Sequence, residues 1–166
     1  MATRREAREW AVQILFQLEA NPIPKDTEGG LNAVFDEFWA TQLRLKMEAK
    51  KQPVDNMTFT GKWHDRVVDK RMRKFTEGLV QGVLDYLAPI DEILAKQSVR
   101  WDITRLGGIE RNVIRLALYE MKFTEKPPPV PVIINEAVDL GKFFCTRDSG
   151  RFINGILDKI AKEIKT

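Results

Sequence analysis

One histidine and one cysteine stand in a chain of 166 residues. The lone cysteine, Cys145, excludes an internal disulfide and suits a reducing compartment. The lone histidine, His64, excludes a His-based metal cluster and leaves no second histidine to pair with a nucleophile. His64 reads as an exposed residue beside Trp63, and Cys145, after Phe143-Phe144 at a helix end, as a half-buried structural thiol. Phosphate-cradling glycine loops are missing too: Gly29-Gly30 and Gly107-Gly108 lie in neither a G-x-G-x-x-G nor a P-loop pattern. No apolar run approaches the roughly 18 residues of a membrane span. The first apolar stretch is amphipathic and studded with Arg and Glu, unlike a signal peptide. Carboxylates are scattered among basic partners at helical spacing, as on a solvated face. The inventory predicts a cytoplasmic protein that is no enzyme and holds no metal or cofactor.

What is present is a globular composition, 43% hydrophobic and 31% charged. Net charge is +3, from 27 basic and 24 acidic residues, which permits a nucleic-acid partner without demanding one. The surplus is concentrated: between Thr41 and Phe75, ten Lys or Arg face four acids.

Apolar residues recur at helical spacing almost everywhere, and no stretch alternates as a strand would. A first helix carries Ala7, Trp10, Ala11, Ile14, Leu15 and Leu18 on one stripe. Thr3 and Glu6 form the S/T-x-x-E capping box at its start, and Asn21-Pro22 ends it. A second helix runs from Leu31 to about Lys50, and Pro53 to Gly61 is irregular. A third, about Lys62 to Tyr86, has an apolar stripe of Val68, Met72, Phe75, Leu79 and Val83. Its basic face holds Lys62, Arg66, Lys70 and Arg73. Pro89 suits the first turn of a short helix reaching Lys96. Further helices are expected over Ile109–Met121, Val132–Phe144 and Ser149 to about Ile164, with Lys126–Pro131 as a stiff connector before the second of these. The reading is all-α, about seven helices in a compact bundle.

The first helix begins with Arg4, Arg5 and Arg8, where the helix dipole disfavours cations by about 0.3–1 kcal/mol each. Arg5, Arg8, Val12 and Phe16 fall on a flank away from the core stripe. Either a second helix covers that flank, or Phe16 is a protein-contact aromatic beside a basic end. Near the other end, "TRDSGRF" sets Arg147 and Arg151 around a glycine, next to Phe152. Asp148 or Ser149 can cap the last helix and leave its amides for an anion. Arginine beside an exposed aromatic matches single-stranded RNA, which offers phosphates and unstacked bases. Phe152 reads equally as core packing at the helix start.

Three stretches carry a family likeness. They are "RREAREWAVQILFQLE", "IERNVIRLALYEM" and "VPVIINEAVDLGKFFCTRDSGRFINGILDKIAKE", the last holding "INEAV", "DSGRF" and "NGILDKI" in order. In them the sequence resembles the NusB family of bacterial transcription antitermination factors. The resemblance implies one NusB-like domain over residues 1–166, built of two packed helical sub-bundles, about 1–87 and 88–166. The segment 25–74 is enlarged relative to the family's usual connection. It implies no enzyme. The implied function is to bind boxA-type single-stranded RNA in nascent ribosomal transcripts, together with NusE, a small-subunit ribosomal protein, and to help RNA polymerase pass terminators. Carried over by position, Arg4, Arg5, Arg8, Asp148, Ser149, Arg151 and Phe152 are expected at the RNA, and Phe16 and Glu110 at NusE. Phe16 stands where many members carry Tyr, and Glu6 interrupts the arginine run. The family pattern has no counterpart for Lys62, Arg66, Lys70 and Arg73, which read either as an additional RNA contact or as a solvated face. Members of such a family occur as monomers or homodimers, and a homodimer can cover the RNA face.

Two other readings keep the helical fold. Some RNA cytosine methyltransferases carry a NusB-like domain as an RNA-binding appendage. That requires a following S-adenosylmethionine-binding α/β domain, whereas this sequence reaches Thr166 right after its last helix, so a free-standing factor is expected. A purely protein-joining scaffold leaves the arginines without a role.

Overall fold

The computed structural model describes residues 3–24, 28–51, 70–99 and 101–165. Among these residues the regular structure is helical and no strand occurs. The chain divides into two compact units, Met1–Gly78 and Leu79–Thr166. Among the described residues no helix is long and apolar enough to cross a membrane.

The first unit contains α1 (Arg4–Ala20), α2 (Gly30–Lys51) and the part of α3 (Lys70–Asp85) up to Gly78. The capping box forms: Thr3 Oγ1 accepts from the Glu6 amide at 3.2 Å, and the Thr3 amide donates to Glu6 Oε2 at 2.7 Å. Two of the amide donors that a helix start leaves orphaned are thereby satisfied. The expected stripe of Ala7, Ala11, Ile14, Leu15 and Leu18 is buried, and burial of each large aliphatic contributes about 1.5–3 kcal/mol. Trp10 stands at its margin, edge-on to Trp39 with ring centroids 5.3 Å apart. In α2, Phe35, Phe38 and Trp39 are buried, and the Trp39 indole N–H donates to Glu77 Oε1 at 2.9 Å. Gly29 precedes α2 with φ +79, a left-handed conformation that glycine adopts without strain. Its carbonyl accepts from the Asn32 amide at 3.1 Å and so starts the helix. The expectations for Pro53–Gly61 and for the Lys62–Asp69 portion of the third helix lie outside the described residues.

The second unit adds α4 (Leu87–Ala95), two 3-10 turns (Lys96–Val99 and Ile103–Arg105), α5 (Gly108–Lys122), α6 (Val130–Phe144) and α7 (Arg147–Lys165). Its core joins Ile114, Leu116 and Leu118 of α5, Ile133 and Leu140 of α6, and Ile153, Ile156, Leu157 and Ile160 of α7. Helices α6 and α7 approach closely at Gly141, where an added Cβ would lie 2.5 Å from Ile153 Cδ1. Between α4 and α5, the Arg115 guanidinium donates to both carboxylate oxygens of Asp91, at 2.8 and 2.9 Å.

Two helix starts lie two residues earlier than the sequence reading places them. Helix α6 begins at Val130 rather than Val132, so Pro131 lies inside its first turn. First-turn amides have no intrahelical acceptor, and a proline there forfeits no hydrogen bond. The Pro129 carbonyl accepts from the Val132 and Ile133 amides at 2.9 and 3.1 Å. Helix α7 begins at Arg147, and its cap is neither Asp148 nor Ser149. Thr146 takes that place, its Oγ1 accepting from the Ser149 amide at 3.1 Å.

Candidate nucleic-acid interface

Each unit carries one group of the residues expected at RNA. In the first unit, the cap holds the opening turn of α1 against its own charges, and Arg4 and Arg5 are exposed there. Arg8 is not: it is only 7% exposed. Its Nη1 donates to the Arg4 carbonyl at 3.2 Å, and its guanidinium lies 5.8 Å from the centre of the Phe75 ring. The Arg4 guanidinium lies over the same ring at 5.5 Å. Two arginines one turn apart thus share a single aromatic partner on α3. Each such contact stabilises by about 0.5–1 kcal/mol at an exposed site and by about 2 or more when desolvated.

The flank of α1 that periodicity grouped together is split. Val12 is fully buried, as Arg8 nearly is, whereas Arg5 and Phe16 are exposed, Phe16 by 42%. Of the four cations expected on the third helix, Lys62 and Arg66 lie outside the described residues. Lys70 is exposed, and the Arg73 guanidinium lies 5.4 Å from the Trp39 ring centre.

In the second unit, the start of α7 carries Asp148 and Arg151, with side chains 91% and 76% exposed and 3.8 Å apart. Ser149 is buried. Its Oγ donates to Glu110 Oε1 at 2.7 Å and lies 3.1 Å from Thr146 Oγ1. Phe152 is half-buried and meets Trp101 edge-on, ring centroids 5.2 Å apart. Phe152 is thus packed on one side and still reaches the surface.

Cys145 borders this cluster. Burial pushes its thiol pKa up, the negative charge of Glu110 adds to the rise, and a hydrogen bond with Ser149 opposes it. A thiol so placed is poorly ionised, the condition of an inert structural cysteine. Among the described residues, no three His, Cys, Asp or Glu side chains gather in a group able to hold a metal ion.

Three residues of these surfaces escaped the sequence reading. Phe75 reads as core by its spacing, and only the approach of α1 reveals it as the seat of Arg4 and Arg8. Trp101, between the two 3-10 turns, has no helical period to place it behind Phe152. Thr146 precedes two other residues able to cap a helix, and nothing local separates the three.

At the start of α1, exposed guanidinium groups stand at a capped helix start beside the Phe75 ring; at the start of α7, exposed Arg151 and Asp148 stand at a second capped helix start, with Phe152 next in sequence. Residues 5–162 match the NusB family. The transcription antitermination protein NusB of Pelotomaculum thermopropionicum is 38% identical over 160 residues, covering 96% of this chain and 90% of that protein. The protein of the same name from Desulfosudis oleivorans is 35% identical over 164 residues, covering 99% and 88%. Among solved structures, NusB of T. maritima superposes with a TM-score of 0.69 at 31% identity, covering 98% of this chain and 94% of that one. A structure of the antitermination factors NusB and NusE in complex with dsRNA shares the fold, with a TM-score of 0.68 at 23% identity over 96% of each chain. On these matches, which run nearly end to end, the chain belongs to the NusB family.

Proposed function

We propose that this chain is a cytoplasmic transcription antitermination factor that acts by binding and not by catalysis. With NusE it holds boxA-type single-stranded RNA in nascent ribosomal transcripts and helps RNA polymerase elongate past terminators. The observation that carries the reading is the start of α1. Arg4 and Arg5 are exposed where the helix dipole opposes them, and a complete capping box offsets the cost. Cations kept at such a position serve a ligand with negative charge. Arg4 and Arg5 supply phosphate contacts, and Arg8 stiffens them from beneath through the Arg4 carbonyl and Phe75.

On the second unit, Arg151 supplies charge and Phe152 a ring edge for an unstacked base, while Asp148 accepts from base or sugar donors. Ser149 orders the start of α7 through Glu110 and Thr146. Phe16 and Glu110 face NusE, Phe16 as the exposed aromatic anchor that such contacts favour.

The test is binding of short boxA-like and scrambled single-stranded RNAs, with and without NusE. Weak binding by the chain alone and tighter, sequence-preferring binding by the pair are expected. Equal affinity for the two RNAs in both conditions overturns the reading.

A further inference from the structure

The Lys70–Phe75 stretch of α3 holds Lys70, Arg71, Arg73 and Lys74 and no acid. At 3.6 residues per turn its cations divide among different faces. Thr76 is fully buried, its hydroxyl donating to the Met72 carbonyl at 2.8 Å, so Met72 and Thr76 mark the inward side. Arg73 and Glu77 fall on one flank, where both meet Trp39 of α2. Arg71 and Phe75, four residues apart, fall on the opposite flank, where Phe75 meets Arg4 and Arg8 of α1. Lys70 and Lys74 lie away from the buried side and are exposed, as is Arg71.

Phe75 is therefore a seam between two basic segments. Side chains four apart on a helix have Cβ atoms about 5–6 Å apart, so Arg71 shares the flank of the ring that carries the guanidinium groups of Arg4 and Arg8. Lys74 adjoins the same ring in sequence. Glu6, an acid within the arginine run, has its carboxylate turned back to the Thr3 amide. A polyanion lying along the seam would meet cations from both helices and release its counterions.

We propose that Lys70, Arg71 and Lys74 contact RNA phosphates and carry the RNA surface of Arg4 and Arg5 across Phe75 onto α3. This rests on the RNA reading of the α1 start and adds a second wall to it. Arg73 is left out of that wall because it is half-buried on the Trp39 flank, on the side of the helix away from Phe75.

The salt dependence of affinity counts the phosphates, at a slope of about 0.7 per contact for single strands. The assay uses the chain with NusE and a boxA-type single-stranded RNA extended by flanking nucleotides, titrated at several salt concentrations. The triple variant Lys70→Gln, Arg71→Gln, Lys74→Gln is expected to lower the slope by about 2 and to leave NusE affinity unchanged. The double variant Lys70→Gln, Lys74→Gln, which spares the Phe75 flank, is expected to lower it by about 1. A slope unchanged in both, with a clear fall in Arg4→Gln, Arg5→Gln, overturns the second wall and leaves the RNA reading standing. A weaker NusE contact with an unchanged slope assigns the face to protein instead and also overturns it. No RNA binding by the unsubstituted pair overturns both readings.

Discussion

Ser149 Oγ donates a 2.7 Å hydrogen bond to Glu110 Oε1, tying the start of α7 to the first turn of α5. The serine is buried and its amide is held by Thr146, so the bond fixes a helix start and not a wandering side chain. A hydrogen bond to a charged group contributes about 1.5–3 kcal/mol net. A double-mutant cycle of Ser149→Ala and Glu110→Gln, read by urea unfolding, is expected to give a coupling energy of about 1–2 kcal/mol. A coupling indistinguishable from zero means that the two helices hold their places without the bond.

Cys145 reports on the same pair through its ionisation. Burial raises its pKa first and the Glu110 charge second, while Ser149 lowers it by hydrogen bonding to the sulfur. Alkylation follows the thiolate, so at pH 8 Cys145 is expected to react more slowly than a free cysteine. Glu110→Gln removes a raising influence and is expected to speed the reaction. Ser149→Ala removes the lowering influence and is expected to slow it. Measured as rate against pH, the two profiles shift in opposite directions. A shift in the same direction shows that solvent access, and not charge, governs the thiol.

Gly141 decides how closely α6 and α7 pack. In an open helix position, Gly→Ala stabilises by up to about 1 kcal/mol through propensity alone. Here the new methyl would stand 2.5 Å from Ile153 Cδ1, and Ile153 is fully buried. Overpacking of a filled core costs about 1–3 kcal/mol, which outweighs the propensity gain. Gly141→Ala is expected to lower the melting temperature. A rise would mean that Ile153 shifts its rotamer at little cost.

What the sequence made legible was each helix taken by itself. The spacing of Ile153, Ile156, Leu157 and Ile160 and the Thr3–Glu6 pair depend only on local geometry, and each appears as expected. What it hid was set by neighbours. Arg8 and Val12 share a flank with Arg5 and Phe16 on the helical wheel, yet two are buried and two exposed. A wheel gives direction around one axis and says nothing of where along that axis another helix crosses. Helical spacing sets Arg73 on the basic face, and only the approach of α2 shows its guanidinium 5.4 Å from the Trp39 ring centre. The start of α7 is hidden for a different reason. Thr146, Asp148 and Ser149 can all cap, and Ser149 turned instead to Glu110 on a helix 39 residues away.

Phe16 separates the two proposed contacts of α1. It is 42% exposed, so a charge there leaves the core intact. Phe16→Asp is expected to weaken NusE binding by at least tenfold, since a central aromatic anchor is worth about 2 kcal/mol or more. RNA affinity of the chain alone is expected to stay within about twofold, because that term follows the arginines. Equal loss of both, with the helical circular dichroism signal unchanged, counts against assigning them to different parts of the helix.

Phe75 should matter to RNA through its ring and not through its bulk. Phe75→Leu keeps an apolar side chain but removes the π face beneath Arg4 and Arg8. Two cation–π contacts at partly exposed geometry amount to about 1–2 kcal/mol. Without them the Arg4 side chain regains rotamer freedom that RNA binding must then suppress, and the affinity of the NusE pair for boxA-type RNA is expected to fall up to about tenfold. Phe75→Tyr retains the ring and is expected to bind RNA as the unsubstituted chain does. Urea unfolding of both variants separates this from a loss of fold. If Leu and Tyr bind RNA alike at equal stability, the ring acts only as filler and the arginines are positioned by α1 alone.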